Sequence, residues 1–394
     1  MQRHFIFILY LLLAGQSMAA RFKVKPYAQW TFDTRVEQVV FMDQTAGYPI
    51  YMIRTEDFVR IYDTEGDEIR RVGRMGNDKF VLNNARTGFM LINDEPVVDS
   101  DPQSYIRSFK VFQSTGAPDY TSTMKTRLNM DELNYQLSDD RSIVITEVGQ
   151  PWLLKLYAED TLFYKESVIP EGVKDCNPRI LASNIKNLNE LITAASCMRQ
   201  DSLDTSWVEL SLWKEDGERQ IIDDLPGELT GLYNIPDTDY FFLERDHIYE
   251  SSLTLYSRDE ALVTYPWKSW EIRPIDEQQV FVITEKDLNV VNLGDGRVAA
   301  MYHPIELRGI ADAAYMKDWG IFLYIRYVLY FNRDGKQAFR NFILEGVDRS
   351  GQLVHRSSFG TWSTILPKIT PVGQNRFSIH IENAVLLYEI ELIE

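Results

Sequence analysis

A hairpin unit that recurs along the chain constrains the fold more than any other feature of this 394-residue sequence. In each copy an apolar strand leads through a short turn to an aromatic-rich strand, and a polar turn then leads to a further strand. The clearest copies begin at Tyr51, Val280 and Ile321. Self-similarity with a period of about 45 residues indicates a repeat architecture, in which each unit buries its apolar faces against its neighbours.

The polar turns place eight units along the chain. Seven of them follow strands rich in β-branched and aromatic residues, and we place them at Gly66, Gly116, Asp160, Gly217, Glu260, Gly296 and Gly335. An eighth unit, over residues 377–390, ends before an outer strand can follow. Residues 27–32 (YAQWTF) have the alternation of a strand and precede the first full unit. We expect this N-terminal segment to supply the missing strand.

Small four-stranded sheets repeated around an axis leave only short, protected edges. Stretches containing Gly or Ala, such as residues 229–233, 307–311 and 368–372, suit an innermost strand. Residues 191–195 also fall where the repeat needs a strand, although they end a weakly amphipathic segment. The sequence therefore predicts an all-β β-propeller of four-stranded blades. We expect eight blades, with seven as the alternative, and a ring closed by the N-terminal strand in the C-terminal blade.

The first twenty residues have the pattern of an export signal. Arg3 and His4 precede an apolar run over residues 5–14, and small residues follow at 17–20. A retained membrane anchor is the alternative interpretation. It is disfavoured because the run is shorter than the roughly 20 residues of a membrane helix. We expect residues 21–394 to form a single propeller domain in the periplasm or outside the cell, with no integral membrane span after signal cleavage.

The charge balance excludes some classes of partner. The formal net charge is −17, whereas nucleic-acid binding and adhesion to anionic membranes both need a basic surface. Two cysteines, Cys176 and Cys197, lie in the exported part of the chain. A lone pair in an exported protein favours one disulfide bond. A redox pair and a soft-metal site remain the alternatives, although the spacing lacks the Cys-x-x-Cys pattern usual for them.

The connection over residues 265–274 is the least regular part of the repeat. Two tryptophans lie between prolines in YPWKSWEIRP, and such rings can form a platform for a glycan or a protein. The candidate binding residues are Tyr265, Trp267, Trp270 and Arg273. Packing of these rings between adjacent blades is the alternative interpretation.

No motif assigns catalytic residues, a metal site or a cofactor. The histidines after the signal, His247, His303, His355 and His380, fall in different units and lack metal-ligand spacing. Acidic pairs are common, but none lies in a calcium-type loop, and solvated turns explain them. Glycosidases also use two facing carboxylates, and the sequence does not single out a pair.

The units resemble the general β-propeller superfamily, with NHL and quinoprotein repeats as the most similar in character. Residues 58–66 (FVRIYDTEG) look like an NHL-type strand and turn. The Gly–Trp pairing of quinoprotein repeats, the Trp-Asp of WD repeats and the Gly-Gly of kelch repeats do not recur. The full-length repeat and the lack of a catalytic motif favour a non-enzymatic, protein-binding scaffold in the bacterial envelope, with a glycan as a further ligand. The alternative is an enzyme acting on carbohydrate or another small molecule at the axial funnel.

Overall fold

Antiparallel strands make up nearly all of the regular structure in the computed structural model. The model describes residues 21–42, 50–63, 66–75, 78–83, 85–98, 103–138, 141–147, 150–158, 161–166, 173–181, 190–199, 206–214, 219–235, 238–248, 250–304, 309–331, 335–359, 362–372 and 375–393. Short 3-10 turns occur at Met130–Glu132 and Lys317–Trp319. Within these ranges, no helix has the length and hydropathy of a membrane span. The proposed signal at residues 1–20 and the turn positions Asp160 and Gly217 lie outside the described residues.

The chain separates into two compact units. The larger unit is Phe32–Arg308, and its described residues form six sheets, each with four strands in chain order. Its strands are β2 (Val36–Met42), β3 (Ile50–Thr55), β4 (Phe58–Asp63) and β5 (Glu68–Gly73); β6 (Lys79–Leu82), β7 (Gly88–Pro96), β8 (Tyr105–Gln113) and β9 (Pro118–Thr126); β10 (Leu133–Leu137), β11 (Ile143–Glu147), β12 (Gln150–Ala158) and β13 (Thr161–Glu166); β14 (Val173–Leu181), β15 (Glu190–Arg199), β16 (Ser206–Lys214) and β17 (Arg219–Pro226); β18 (Glu228–Asn234), β19 (Tyr240–His247), β20 (Glu250–Ser257) and β21 (Glu260–Tyr265); β22 (Ser269–Pro274), β23 (Gln279–Thr284), β24 (Leu288–Asn292) and β25 (Val298–Tyr302).

The smaller unit combines the residues up to Thr31 with Gly309–Glu394. One sheet contains β26 (Ile310–Met316), β27 (Ile321–Phe331), β28 (Gln337–Asp348), β29 (Leu353–Ser358) and the two-residue β30 (Trp362–Ser363), which pairs with β28. The other is formed by β31 (Lys368–Pro371), β32 (Arg376–Ile381), β33 (Ala384–Ile393) and β1 (Arg21–Thr31). Strand β1 pairs antiparallel with β33, from Arg21 opposite Ile393 to Thr31 opposite Ala384. The expected N-terminal strand therefore completes the C-terminal sheet.

Local sequence explains the sheets and their turns. The second strand of a sheet is the most buried: Ile50–Thr55 and Gln279–Thr284 are apolar almost throughout, as strands covered on both faces are. Gly66 and Gly116 lie in the turns between third and fourth strands with φ of 96° and 73°, a conformation that glycine adopts without a Cβ clash. Residues 191–195 are part of β15, which confirms the expected strand.

Two irregularities recur from sheet to sheet. Among the described residues, the pairing of the third strand with the fourth is shifted by one residue in seven sheets, for example between Ile61 and Tyr62 and between Leu255 and Tyr256. The first strand is bulged in four sheets, with one residue skipped in the register; the skipped residues are Glu37, Thr230, Trp270 and Ala311. A bulge redirects the side chain of the extra residue. The repeat is therefore visible in the backbone as well as in the sequence.

One repeat copy departs from the sequence interpretation. Gly335 was expected in a turn before the outer strand, but it lies between β27 and β28, the second and third strands of its sheet. The outer turn of that sheet is at Asp348–Gly351, where Gly351 has φ of 80°. The reason is that β27 continues for eleven residues where β3 and β23 end after six. Because the apolar run of β27 contains no turn residue, the strand continues instead of ending after six residues.

Candidate functional site

The connection over residues 265–274 joins two sheets of the larger unit. It leaves β21 at Tyr265 and enters β22 at Ser269. Tyr265 is buried, and its ring stacks on Trp267 with centroids 4.3 Å apart and planes 10° apart. The Tyr265 hydroxyl donates to the carbonyl oxygen of Gly296, in the outer turn of the next sheet. Both rings pack on a core cluster drawn from the two sheets, so this pair holds adjacent sheets together.

Trp270 has a different environment from Trp267. Its side chain is 54% exposed, and it is the residue skipped between Ser269 and Glu271 in the pairing of β22 with β23. The other bulged first strands carry Glu37, Thr230 and Ala311 at this position. A tryptophan at the repeated bulge therefore distinguishes this sheet. The bulge directs a large aromatic ring towards solvent instead of into the core.

A buried carboxylate fixes the backbone next to Trp270. Glu244, on β19, is 3% exposed. Its Oε1 accepts a hydrogen bond of 2.6 Å from the backbone N–H of Ser269, and its Oε2 accepts one of 2.9 Å from the Tyr233 hydroxyl. The first of these hydrogen bonds ties the Ser269 backbone to a buried side chain of the preceding sheet, and the second holds that side chain. The exposed tryptophan therefore stands on a supported segment.

Charged residues surround the connection. Lys268 lies 3.3 Å from Asp246 Oδ2, and this hydrogen bond, followed by the charge of Asp246, raises the pKa of Lys268. Asp246 also accepts a 2.6 Å hydrogen bond from Ser251. Because the lysine and aspartate side chains are both well exposed, the pair contributes little to stability. It is a polar pair on the connection that carries Trp270.

Arg273 belongs to a cluster that spans several sheets. It binds Glu271 through two parallel hydrogen bonds, Nε to Oε1 at 2.8 Å and Nη2 to Oε2 at 2.5 Å. Arg86, in the turn between β6 and β7, has φ of 59°, and its Nη1 lies 3.5 Å from the carbonyl oxygen of Phe41. Burial lowers the pKa of Arg86, the charge of Arg273 lowers it further, and Glu271 raises it. Two guanidinium groups and one carboxylate thus act on one another.

The sequence alone did not single out Arg86 or Glu244. A charged residue within an apolar strand, as in YFFLERDH of β19, is a signal for a buried, hydrogen-bonded acid. Arg86 offers no comparable signal, because its positive φ and its proximity to Arg273 exist only in the folded chain. Trp270 and Trp267 were equivalent in the sequence, and the structure separates them into an exposed ring and a packed one.

The histidines belong to different sheets or their connections. His247 is exposed at the end of β19, and His303 forms a 2.8 Å pair with Asp287. His355 lies on β29, where burial lowers its pKa, and His380 is buried in β32. Among the described residues, no three His, Cys, Asp or Glu side chains come together as a metal site requires.

The two cysteines face each other in the backbone register. Cys176 on β14 is the direct cross-strand partner of Cys197 on β15. Directly opposed residues of antiparallel strands have Cα atoms about 4.5–5.5 Å apart, which falls in the range that a disulfide spans. The Cys176 side chain lies outside the described residues, so the bond itself stays a prediction.

Known structures identify the architecture. No protein-family model and no curated protein matches the chain. Among solved structures it is similar to the WD40 domain of SCAP from fission yeast, with a TM-score of 0.53, 10% identity, and coverage of 93% of this chain and 94% of that one. The fold is a β-propeller. The Dos1 propeller is similar with a TM-score of 0.50, 11% identity and coverage of 93% and 95%. At such identities the likeness establishes the fold and leaves the function open.

Proposed function

We propose that this chain is an exported β-propeller that binds a protein partner in the bacterial envelope. The proposal includes eight blades, with the N-terminal strand closing the ring, and removal of residues 1–20 as a signal. The similarity to NHL and quinoprotein repeats is part of the same proposal. The propeller fold and the pairing of β1 with β33 support it.

The exposed ring of Trp270 is the observation that carries the proposal. Tryptophan is enriched among the residues that dominate binding energy at protein interfaces. The ring stands on a segment already ordered by Glu244 and by the Tyr265–Trp267 stack, so little conformational entropy is lost when a partner covers it. Lys268, two residues before Trp270 in the chain, forms an exposed pair with Asp246. An aromatic centre with a polar edge is the usual composition of a protein-binding patch.

Affinity capture from the native envelope tests the proposal. Wild-type protein, Trp270→Ala and Ile221→Ala serve as baits, because Ile221 is equally exposed, at 56%, but lies on β17. We expect one specific envelope protein to be retained by wild type and by Ile221→Ala. Trp270→Ala should retain at least tenfold less. Equal retention by all three baits, or no specific partner under gentle conditions, would contradict the proposal.

The cluster of Arg86, Arg273 and Glu271 favours a second candidate, the binding of a small anion. Guanidinium groups bind phosphate and carboxylate oxygens through paired hydrogen bonds, and the charge of Arg273 acts on Arg86 in this part of the fold. Glycoside hydrolysis needs two facing carboxylates, whereas the described contacts here show Glu271 bound by Arg273. The cluster therefore supports binding of an anionic small molecule better than hydrolysis of a sugar.

Thermal stabilisation by added anions tests this second candidate. We expect millimolar phosphate to raise the melting temperature of the wild-type protein above that in equal ionic strength of chloride. Arg86→Gln should abolish this difference, because it removes one of the two positive charges. A phosphate effect that survives the substitution would show that the anion binds elsewhere.

A further inference from the structure

The β27–β28 hairpin extends beyond the sheet to which it belongs. Pairing of β26 with β27 ends at Arg326, and pairing of β28 with β29 ends at Ile343. Strands β27 and β28 continue past this point and pair with each other from Val328 opposite Arg340 to Phe331 opposite Gln337. The two-residue β30 adds a third strand. This extension comprises residues 327–331, 337–342 and 362–363. The described hairpin between β3 and β4 has no such extension, because β3 pairs with β2 up to Thr55, its last residue.

The extension is apolar and exposed. Val328, Leu329, Tyr330 and Phe331 are consecutive, and between 37% and 58% of each side chain is accessible to solvent. Trp362 is 57% exposed. In contrast, the first five residues of β27 are buried. Large apolar side chains exposed together on one hairpin in this way are typical of an interaction site.

The base of the extension is well supported. Phe339 packs edge-on against Tyr327, with centroids 5.1 Å apart, and belongs to the core cluster of the smaller unit. Next to Trp362, Ser363 is fully buried, and its hydroxyl donates a 2.7 Å hydrogen bond to Oε1 of Glu382. The backbone N–H of Thr364 donates to the same oxygen at 2.8 Å. The exposed rings are therefore presented on an ordered platform, which lowers the entropic cost of binding.

One face of the extension has the composition of a binding hot spot. Val328, Arg340 and Trp362 lie opposite one another on the three strands, and side chains in direct register project from the same face of a sheet. The Arg340 guanidinium lies 4.6 Å from the centre of the Tyr330 ring, which leaves its edge available for a carboxylate. Two strand spacings of about 4.8 Å make the row roughly 10 Å wide. That width suits one extended peptide segment.

The charge of the extension indicates which kind of peptide segment would bind to it. Arg340 and Lys336 are both exposed, and the described residues of the extension contain no Asp or Glu, although the chain as a whole has a net charge of −17. Inserting a hairpin that carries the exposed Lys336 and Arg340 into a bilayer would be unfavourable, and the charge of the whole chain opposes an anionic membrane. A protein segment fits these observations better than a lipid surface.

We propose that the face formed by Val328, Tyr330, Arg340 and Trp362 binds an acidic peptide segment of a partner protein. In this segment a carboxylate pairs with Arg340, and a neighbouring aromatic or aliphatic side chain packs between Trp362 and Val328. The inference deepens the proposed function and rests on it for the class of partner, but it concerns a surface separate from Trp270. The two surfaces lie on different units of the chain, and each can be tested without the other.

Selection from a phage-displayed library of random 15-residue peptides tests the inference, with the whole exported chain as bait. We expect the selected peptides to share an Asp or Glu next to an aromatic or aliphatic residue. Trp362→Ala should weaken their binding at least tenfold. Met301→Ala is the matched control, because Met301 is 58% exposed on β25, and it should leave the binding unchanged. Arg340→Glu should reject these peptides and instead bind versions in which Lys replaces the acid.

Three results of this peptide selection would overturn the inference. They are selection of no common motif, selected peptides that bind Trp362→Ala as well as wild type, and failure of Arg340→Glu to reverse the charge preference. Sedimentation with vesicles of phosphatidylcholine and phosphatidylglycerol that is lost in Trp362→Ala would assign the face to a lipid surface. A reversible dimer lost in the same variant would assign it to a second copy of the chain. Failure of envelope capture with successful peptide selection would instead count against the proposed function and leave this inference standing.

Discussion

Tyr265, Trp267 and Trp270 show how similar residues acquire different roles. They occupy one short connection, yet Tyr265 and Trp267 stack on each other within the core cluster, while Trp270 stands at a bulge in solvent. The difference follows from the backbone, because a bulge changes the direction in which the side chain leaves the strand. Binding by this group stays a prediction, and the exposed ring is the member that a partner can reach.

Alanine substitutions at the two tryptophans should therefore have opposite effects on stability. We expect Trp267→Ala to lower the free energy of unfolding by about 3 kcal/mol, because it leaves a cavity against Tyr265 and the core cluster. Trp270→Ala should change it by less than about 0.5 kcal/mol. Urea denaturation followed by circular dichroism measures both. A large loss in Trp270→Ala would mean that the ring contributes to the core.

The cysteine pair permits a second prediction on the residue scale. Because Cys176 and Cys197 are cross-strand partners, we expect the exported protein to contain one disulfide bond. The bond would close a loop whose contribution is about 3 kcal/mol in the chain-entropy model. Mass analysis without reduction should show a mass two hydrogens lower than after reduction, and Cys197→Ser should abolish the difference. Two free thiols in the untreated protein would refute the bond.

On the scale of the elements, the turns and bulges decide where each hairpin points. The turn between β24 and β25 contains two glycines with different environments. Gly296 has φ of 65°, and a Cβ added there would lie 2.4 Å from a methyl carbon of Val263 and 3.1 Å from the Tyr265 hydroxyl. A Cβ at Gly294 would meet no atom within 4 Å. The same turn therefore provides a variant and its control.

Gly296→Ala should destabilise the protein, whereas Gly294→Ala should not. We expect a loss of about 2 kcal/mol for Gly296→Ala, because alanine is strained at positive φ and its methyl group crowds Val263. The change for Gly294→Ala should be within about 0.5 kcal/mol. Thermal unfolding of the two variants, compared at equal concentration, measures the difference. Equal melting temperatures would show that the turn relaxes without cost.

On the scale of the whole molecule, the repeat is completed by residues distant in sequence. Strand β1 pairs with β33 over nearly its whole length, and Val24 packs against the core cluster of the smaller unit. Tyr27, which is skipped in the register, lies under the Arg376 guanidinium at 4.7 Å. Without β1, the edge of β33 would be exposed and open to pairing with other chains.

Deletion of residues 21–31 should therefore destabilise the C-terminal sheet. We expect a loss on the order of 5 kcal/mol, given a net contribution of about 1 kcal/mol for each ladder hydrogen bond, together with a tendency to aggregate. Thermal unfolding and light scattering measure these effects, and a synthetic peptide of residues 21–31 added in trans should partly restore the melting temperature. A truncated protein as stable as wild type would show that the pairing is dispensable.

The sequence by itself determined the strand content, the four-stranded repeat and the N-terminal strand that joins the last sheet. These features depend on period-two alternation and turn residues, which act between neighbours along the chain. Only the tertiary structure decided that Trp270 is exposed and Trp267 packed, that the charge of Arg273 acts on Arg86, and that Gly335 belongs to an extended hairpin. Those outcomes depend on bulges and on contacts between residues far apart in sequence, where packing of whole sheets overrides local preference.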